Sequence, residues 1–177
     1  MHFLSPILET YIANHSEDEP ELLQELTRET HLKVIQPRMI TGHFQGRVLS
    51  MLSKIIHPKY ILEIGTYTGY SALCLAEGLQ KDGELHTIEV NEELYPIQRR
   101  YFDKSGHGSQ IHQHIGDALD IIPNLPQTFD LVFIDAQKVN YDAYFEAVIQ
   151  KTRPGSIILS DNVLWSGKVV EPLQQSD

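Results

Sequence analysis

Leu62-Glu63-Ile64-Gly65-Thr66-Tyr67-Thr68-Gly69-Tyr70-Ser71 closes a short apolar run, turns on two glycines and opens onto a helical pattern. In an open α/β sheet such a junction lies at the carboxyl end of a strand, where these sheets bind their ligands. Gly65 permits a tight turn with close backbone approach, and Gly69 lets a helix begin beside a ligand with its amides free for a polar or anionic group. The spacing is G-x-x-x-G, without the middle glycine that admits a pyrophosphate, and no Lys-Ser/Thr pair follows as in a nucleotide P-loop. Glu63 places a carboxylate at the strand end. Glu89, 20 residues beyond Gly69, ends the next strand, where a carboxylate accepts both hydroxyls of a ribose. A ribose, a positive charge and no pyrophosphate describe S-adenosylmethionine. The plainer alternative is that the glycines only punctuate a turn and Glu63 is a solvated strand end.

The flanking sequence repeats the same unit. Residues 60–64, 85–88, 129–134 and 156–159 are brief apolar runs, with 111–115 a weaker fifth. Between them 71–79, 92–105, 118–122 and 141–152 carry apolar residues at helical spacing. Right-handed crossovers pack a helix against a parallel sheet, so the pattern predicts a doubly wound α/β fold. Residues 1–57 read as three helices, about 4–13, 20–32 and 43–56, capping a core over 58–177 within one domain.

Composition narrows the function classes. With 177 residues, 41% of them hydrophobic and 21% charged, the chain has a globular rather than a disordered or fibrous make-up. Fourteen basic against 24 acidic residues leave a formal charge of -10, which opposes general binding to nucleic-acid phosphates. The single cysteine, Cys74, excludes an intrachain disulfide framework and a multi-cysteine zinc site, and suits a reducing compartment. No apolar run approaches the roughly 18 residues needed to span a bilayer, and the first residues lack a basic leader region, so the expected setting is cytoplasmic, with no membrane partner.

Two more strand ends carry acids. Asp135-Ala136-Gln137-Lys138 follows the fourth strand and Asp161-Asn162 the fifth, so both fall at the edge occupied by Gly65. Two carboxylates and one amide oxygen make a hard, oxygen-only set suited to Mg²⁺ or Ca²⁺, with positions left for substrate oxygens. Either aspartate taken alone reads equally as a helix or turn cap, and Lys138 as a solvated surface lysine. His112 and His114 stand two apart on one strand face, a weak metal site without a third ligand. Tyr67, Tyr70, Tyr141 and Trp165 are candidate pocket walls that could equally be packing, Trp165 foremost because it closely follows Asp161-Asn162.

Three ordered segments carry a resemblance. Residues 62–71, residues 129–141 (Phe129-Asp130-Leu131-Val132-Phe133-Ile134-Asp135-Ala136-Gln137-Lys138-Val139-Asn140-Tyr141) and Asp161-Asn162-Val163-Leu164-Trp165-Ser166-Gly167 resemble the signature of the cation-dependent O-methyltransferases, the caffeoyl-CoA and catechol O-methyltransferase family, as a bacterial-type member. The likeness runs from about residue 36 to 170. It implies Asp135, Asp161 and Asn162 as metal ligands, for Mg²⁺ first and Ca²⁺ or Mn²⁺ as alternatives, with Lys138, beside Asp135, as the catalytic base or its auxiliary. Cofactor contacts are implied for Thr41, Glu63, Gly65, Thr66, Ser71, Glu89, Ala118 and Asp135. Met39-Ile40-Thr41 matches the segment that closes over the methionine end and touches substrate, which puts Met39 with Trp165 on the substrate side. Gln137 stands where plant caffeoyl-CoA enzymes carry an acid, a departure from plant-type substrate contacts. The resemblance further implies a Rossmann-like, mostly parallel sheet with strand order 3-2-1-4-5, and a homodimer. Family members continue past the Asp-Asn segment into a terminal antiparallel strand pair beside strand five, so a chain ending at Asp177 is expected to be shortened or to have that edge covered by a partner.

These readings converge on an S-adenosylmethionine-dependent, divalent-cation-assisted O-methyltransferase for a small catechol-like or hydroxycinnamoyl acceptor. A phenol, with a pKa of about 10, needs activation at neutral pH, and coordination to a dication supplies it, while Lys138, its own pKa lowered by the like charge, takes the proton. Two alternatives stay open. One is methylation of a 5-hydroxyuridine in tRNA, with Arg38, Arg47, Arg99, Arg100 and Lys104 as basic contacts. The other is a non-catalytic adenosyl-ligand binding module, for which an open cation site would be superfluous.

Overall fold

The structure is a computed structural model and describes residues 5–170, the side chains of residues 165 and 166 excepted. Five strands, β1 (Tyr60–Ile64), β2 (Glu84–Glu89), β3 (Ile111–Ile115), β4 (Phe129–Ile134) and β5 (Thr152–Ser160), form one sheet in the order β3-β2-β1-β4-β5, every pair parallel. The expected fold and strand order are those observed.

Strand alternation divides the core in two. Ile61, Leu85, Ile111, Leu131 and Phe133 face a layer built from α2 (Glu21–Lys33), α3 (His43–Ile56), α4 (Tyr70–Ala76) and α5 (Tyr95–Lys104). Their neighbours Leu62, Ile64, Ile88, Val132 and Ile134 face α6 (Ala118–Ile121) and α7 (Tyr141–Ile149). Central strands buried on both faces explain why β1 and β4 read as continuous apolar runs rather than alternating ones. α1 (Pro6–Asn14), capped by Ser5, buries no residue and completes the N-terminal helices. No helix among the described residues is long and apolar enough to cross a membrane.

Boundaries depart from expectation where proline or glycine intervenes. The helix expected over 92–105 splits into a 3₁₀ turn, Glu92–Leu94, and α5, whose first turn holds Pro96. α7 stops at Ile149 rather than 152, and β5 begins at Thr152, well before 156. Its first part carries Pro154 and Gly155, and the pairing with β4 shifts register between Phe129 and Leu131, as expected where proline cannot donate to a ladder. Among the described residues β5 pairs only with β4, and Ile157 is 38% exposed.

α3 lies hard against α4. A Cβ on Gly46 would fall 2.5 Å from the Tyr70 ring, and one on Gly78 would fall 2.2 Å from the backbone of Ser53. Across this contact Arg47, 7% exposed, donates to both oxygens of Glu77 at 2.6 and 3.1 Å, and Ser50 adds a bond of 2.6 Å. Burial works to raise Glu77, but Arg47, Ser50 and Lys54 overcome it and hold the carboxyl down at about 2. Glu77→Ala would leave the buried Arg47 guanidinium with only the exposed Glu17 carboxylate, at 3.5 Å, as its ion-pair partner. The expected cost is about 3 kcal/mol by denaturant unfolding at neutral pH, several-fold more than an exposed ion pair gives.

Candidate active site

The site follows from strand register. Ile64 of β1 is level with Ile134 of β4, and Ile134 with Ser160 of β5, so the next residues, Gly65, Asp135 and Asp161, leave the sheet side by side. The Asp135 amide donates to Ile64 O at 2.9 Å, and the Asp161 amide to Ile134 O at 3.0 Å. Gly65 takes φ +101, and a Cβ there would lie 2.0 Å from Asp135 O, so only glycine lets the two loops touch. Gly69, also at positive φ, lets α4 start against Phe102, whose ring a Cβ would meet at 2.6 Å. A cleft of about 960 Å³ opens above this rim, of the size that small-ligand sites occupy.

The aspartates are electrostatically coupled. Burial raises Asp135, the Asp161 charge adds to the rise, and Lys138 pulls part of it back. Lys138 Nζ donates to Asp135 Oδ1 at 3.1 Å and to Tyr141 Oη at 2.6 Å. Tyr141 Oη lies within donating distance of Ile134 O and Asp161 O, at 3.3 and 3.1 Å, so the hydroxyl joins both strand ends to the lysine. Burial opposes the Lys138 charge, yet Tyr141 and Asp135 outweigh it and the net direction is upward. The nearest charge to the ammonium among the described residues is the Asp135 carboxylate. Asp161 accepts from Gln45 Nε2 at 2.9 Å through Oδ2 and from the Asn162 amide through Oδ1. Asn162 itself is exposed and adopts φ +54.

Glu63 is placed differently from the expectation of a solvated or ligand-facing strand end. It is 0% exposed and does not line the cleft. Thr87 donates to its Oε2 at 2.5 Å, Ser71 bonds to it as well, and Thr66 Oγ1 meets Thr87 Oγ1 in turn. Its Oε1 has no hydrogen-bond partner among the described residues. Glu89 stands at the cleft wall, one oxygen accepting the Tyr67 amide at 2.7 Å and the other the Asn91 amide at 3.0 Å. Each oxygen keeps a lone pair for a hydroxyl.

Thr41, Gly65, Thr66, Ser71, Glu89, Ala118, Asp135, Lys138, Asp161, Asn162 and Met39 all line the cleft, as do Tyr67, Tyr70 and Gln137. The Trp165 side chain lies outside the described residues. Of the basic residues considered for RNA, Arg38 alone lines the cleft; Arg47, Arg99, Arg100 and Lys104 pair with Glu77, Asp103, Glu29 and Glu25. Two functional partners escaped sequence reasoning. Gln45 reaches Asp161 from 116 positions away with no local signal, and the Tyr141 hydroxyl is tied to Lys138 by an i,i+3 spacing that a helical reading of 138–141 exposes.

An O-methyltransferase family model matches residues 13–177. The chain belongs to the O-methyltransferase family. It is 39% identical over 160 residues to a caffeoyl-CoA O-methyltransferase of Petroselinum crispum, covering 87% of this chain and 66% of that protein. A catechol O-methyltransferase of Niastella koreensis is 38% identical over 139 residues, covering 76% and 63%. The chain thus spans just under two thirds of the length of these curated relatives. Among solved structures, the O-methyltransferase TomG of Streptomyces achromogenes, determined in complex with SAM, superposes with a TM-score of 0.89 at 32% identity over 96% of this chain and 77% of that one. The rim just described is therefore built on the scaffold on which a family member holds SAM.

Within this member, burial pushes Glu63 up to about 8 from the ordinary 4.5, with Ser71 and Thr87 pulling back and Asp135 and Glu89 adding to the rise. The folded chain then keeps a proton that the unfolded chain releases. The stability this supplies is complete below pH 4.5 and is lost as pH rises through about 8. Glu63→Gln cannot ionise, so the melting temperature of the variant should gain on the parent as pH rises from about 5 to about 9. A difference between the two that stays constant over this range would refute the buried neutral carboxyl.

Proposed function

We propose that the chain transfers the methyl group of S-adenosylmethionine to a hydroxyl of a small aromatic acceptor bearing vicinal oxygens, a catechol-like or hydroxycinnamoyl compound, with the aid of a divalent cation. The observation that carries the reading is the adjacency of Asp135 and Asp161 at one rim, next to the Gly65 turn and open to the same cleft as Glu89.

The residues fit the groups the reaction needs. Glu89 keeps acceptor capacity for two ribose hydroxyls, and Glu63 lies buried beneath the Gly65 turn with its Oε1 unpartnered among the described residues. Asp135, Asp161 and Asn162 form an oxygen donor set for Mg²⁺, Ca²⁺ or Mn²⁺. A dication bound there supplies Lewis acidity toward an acceptor hydroxyl and lowers the proton affinity of Lys138 through like charge. Lys138 Nζ, fixed between Asp135 Oδ1 and Tyr141 Oη, is the group that takes the hydroxyl proton. The acceptor oxygen then attacks the methyl carbon as the carbon–sulfur bond breaks and S-adenosylhomocysteine forms. Thr41 and Met39 on one side and the Gly65 turn on the other hold the reactants in line, the orientation on which such a displacement depends. Gln45 acts through Asp161 as a positioning residue.

The same reading includes a cytoplasmic enzyme, supported by the free, buried Cys74, and a homodimer, which the family implies. The carboxylate partners of Arg47, Arg99, Arg100 and Lys104 favour a small acceptor over tRNA.

Methyl transfer from labelled S-adenosylmethionine to catechol and caffeoyl acceptors should require Mg²⁺ and stop in EDTA. Transfer that persists in EDTA would reject cation assistance, and labelling of bulk tRNA without turnover of phenols would move the acceptor to RNA. Asp161→Ala should lower kcat/KM by about 100-fold or more. Gln45→Ala should lower it roughly tenfold, mainly through weaker Mg²⁺ affinity, the scale on which outer partners of metal ligands act.

A further inference from the structure

Glu84, His86 and His112 are the one group of three His, Cys, Asp or Glu side chains whose ligand atoms converge among the described residues, all within 4.8 Å of one another. They sit at the start of β2 and β3, and none of them lines the cleft. Register explains the cluster: His86 is paired across the ladder with His112, and Glu84 lies two residues before His86 on the same face. His86 is 6% exposed while His112 is open to solvent, so the group is walled on one side and accessible from the other.

We propose that Glu84, His86 and His112 form a transition-metal site, separate from the cleft, for a borderline dication such as Zn²⁺. Two imidazoles and a carboxylate are the donors that such ions select, and hard Mg²⁺ does not compete for imidazole nitrogen. The spacing suits the ion. Bonds of about 2.0–2.2 Å in a tetrahedron separate neighbouring ligand atoms by roughly 3.3–3.6 Å, and His86 Nε2 already lies 3.2 Å from Glu84 Oε2.

The surroundings are those of a ligand set. His86 Nδ1 is 3.0 Å from His114 Nε2, and Gln127 Nε2 donates to Glu84 Oε2 at 3.1 Å. When His86 gives its Nδ1 proton to His114, its bare Nε2 faces the Glu84 carboxylate, a repulsive contact that a cation between them converts to attraction. The alternative tautomer places a proton on Nε2 where the metal would stand. His114 stands against His86 Nδ1, placed to accept the Nδ1 proton of a metal-bound His86, the outer partner that metal-bound histidines generally have. The bound ion would clip β2 to β3, the strand at one edge of the sheet.

The test is calorimetric titration of tag-free protein with Zn²⁺ in excess Mg²⁺, which keeps the hard oxygen set at Asp135 and Asp161 occupied. One Zn²⁺ per chain is expected. His112→Gln and Glu84→Gln should abolish that binding. His114→Phe should weaken it roughly tenfold or more. Asp161→Asn should leave it unchanged, which separates this site from the proposed catalytic one. The exposed position of His112 makes folding of His112→Gln secure, and its melting temperature without metal should match the parent. Absence of saturable binding to the parent, or full binding retained by His112→Gln, would overturn the assignment.

Discussion

The in-register parallel pairing of β1, β4 and β5 is the constraint on which the site depends. Because Ile64, Ile134 and Ser160 are level, three chain segments leave the sheet at one height, and each delivers one component: the glycine turn, Asp135 and Asp161. A slip of one residue in β5 would exchange Asp161 for a neighbour and turn its side chain to the opposite face. The bulge near Pro154 absorbs the irregularity at the far end of the strand, leaving the pairing from Leu131 to Ile134 regular. Register in the sheet is therefore the origin of the carboxylate pair, ahead of any contact the carboxylates make themselves.

Charge is handled in two ways around this frame. Between α3 and α4, Arg47 and Glu77 are both ionised and bind each other. Beneath the glycine turn, Glu63 has hydroxyl partners but no cation, and burial keeps it neutral. The first arrangement fastens the helical cap to the sheet. The second leaves an acid beneath the place proposed for a cationic ligand. That difference follows from what each carboxyl meets, since both are glutamates near strand or helix ends.

The sequence was most legible where chemistry and chain position coincide. Gly65, Glu89, Asp135 and Asp161 each end a strand, so locating the strands located them, and the resemblance added roles that spacing alone left open. Apolar runs marked the strands well because β1 and β4 are buried on both faces, whereas the start of β5 was missed because its first residues are exposed and include proline and glycine. Gln45 carried no signal, since its contact with Asp161 depends on how the helical cap lies over the sheet. Glu63 is legible as a strand-end acid, but its enclosure by Ser71 and Thr87 depends on the neighbouring helix and strand and leaves no local signal. Likewise the side chains that converge on His112, Glu84 and His86, come from β2, with His114 behind His86.

The contact between Gly65 and the carbonyl of Asp135 has a mechanical consequence. The loop proposed to hold the methyl donor and the strand end proposed to hold the cation touch backbone to backbone, with no side chain between them to act as a spring. Thermal drift of one half must carry the other along. Their mutual distance is thus protected by main-chain stiffness, and evolution can retune walls such as Met39 or Gln137 for new acceptors without detuning donor against ion.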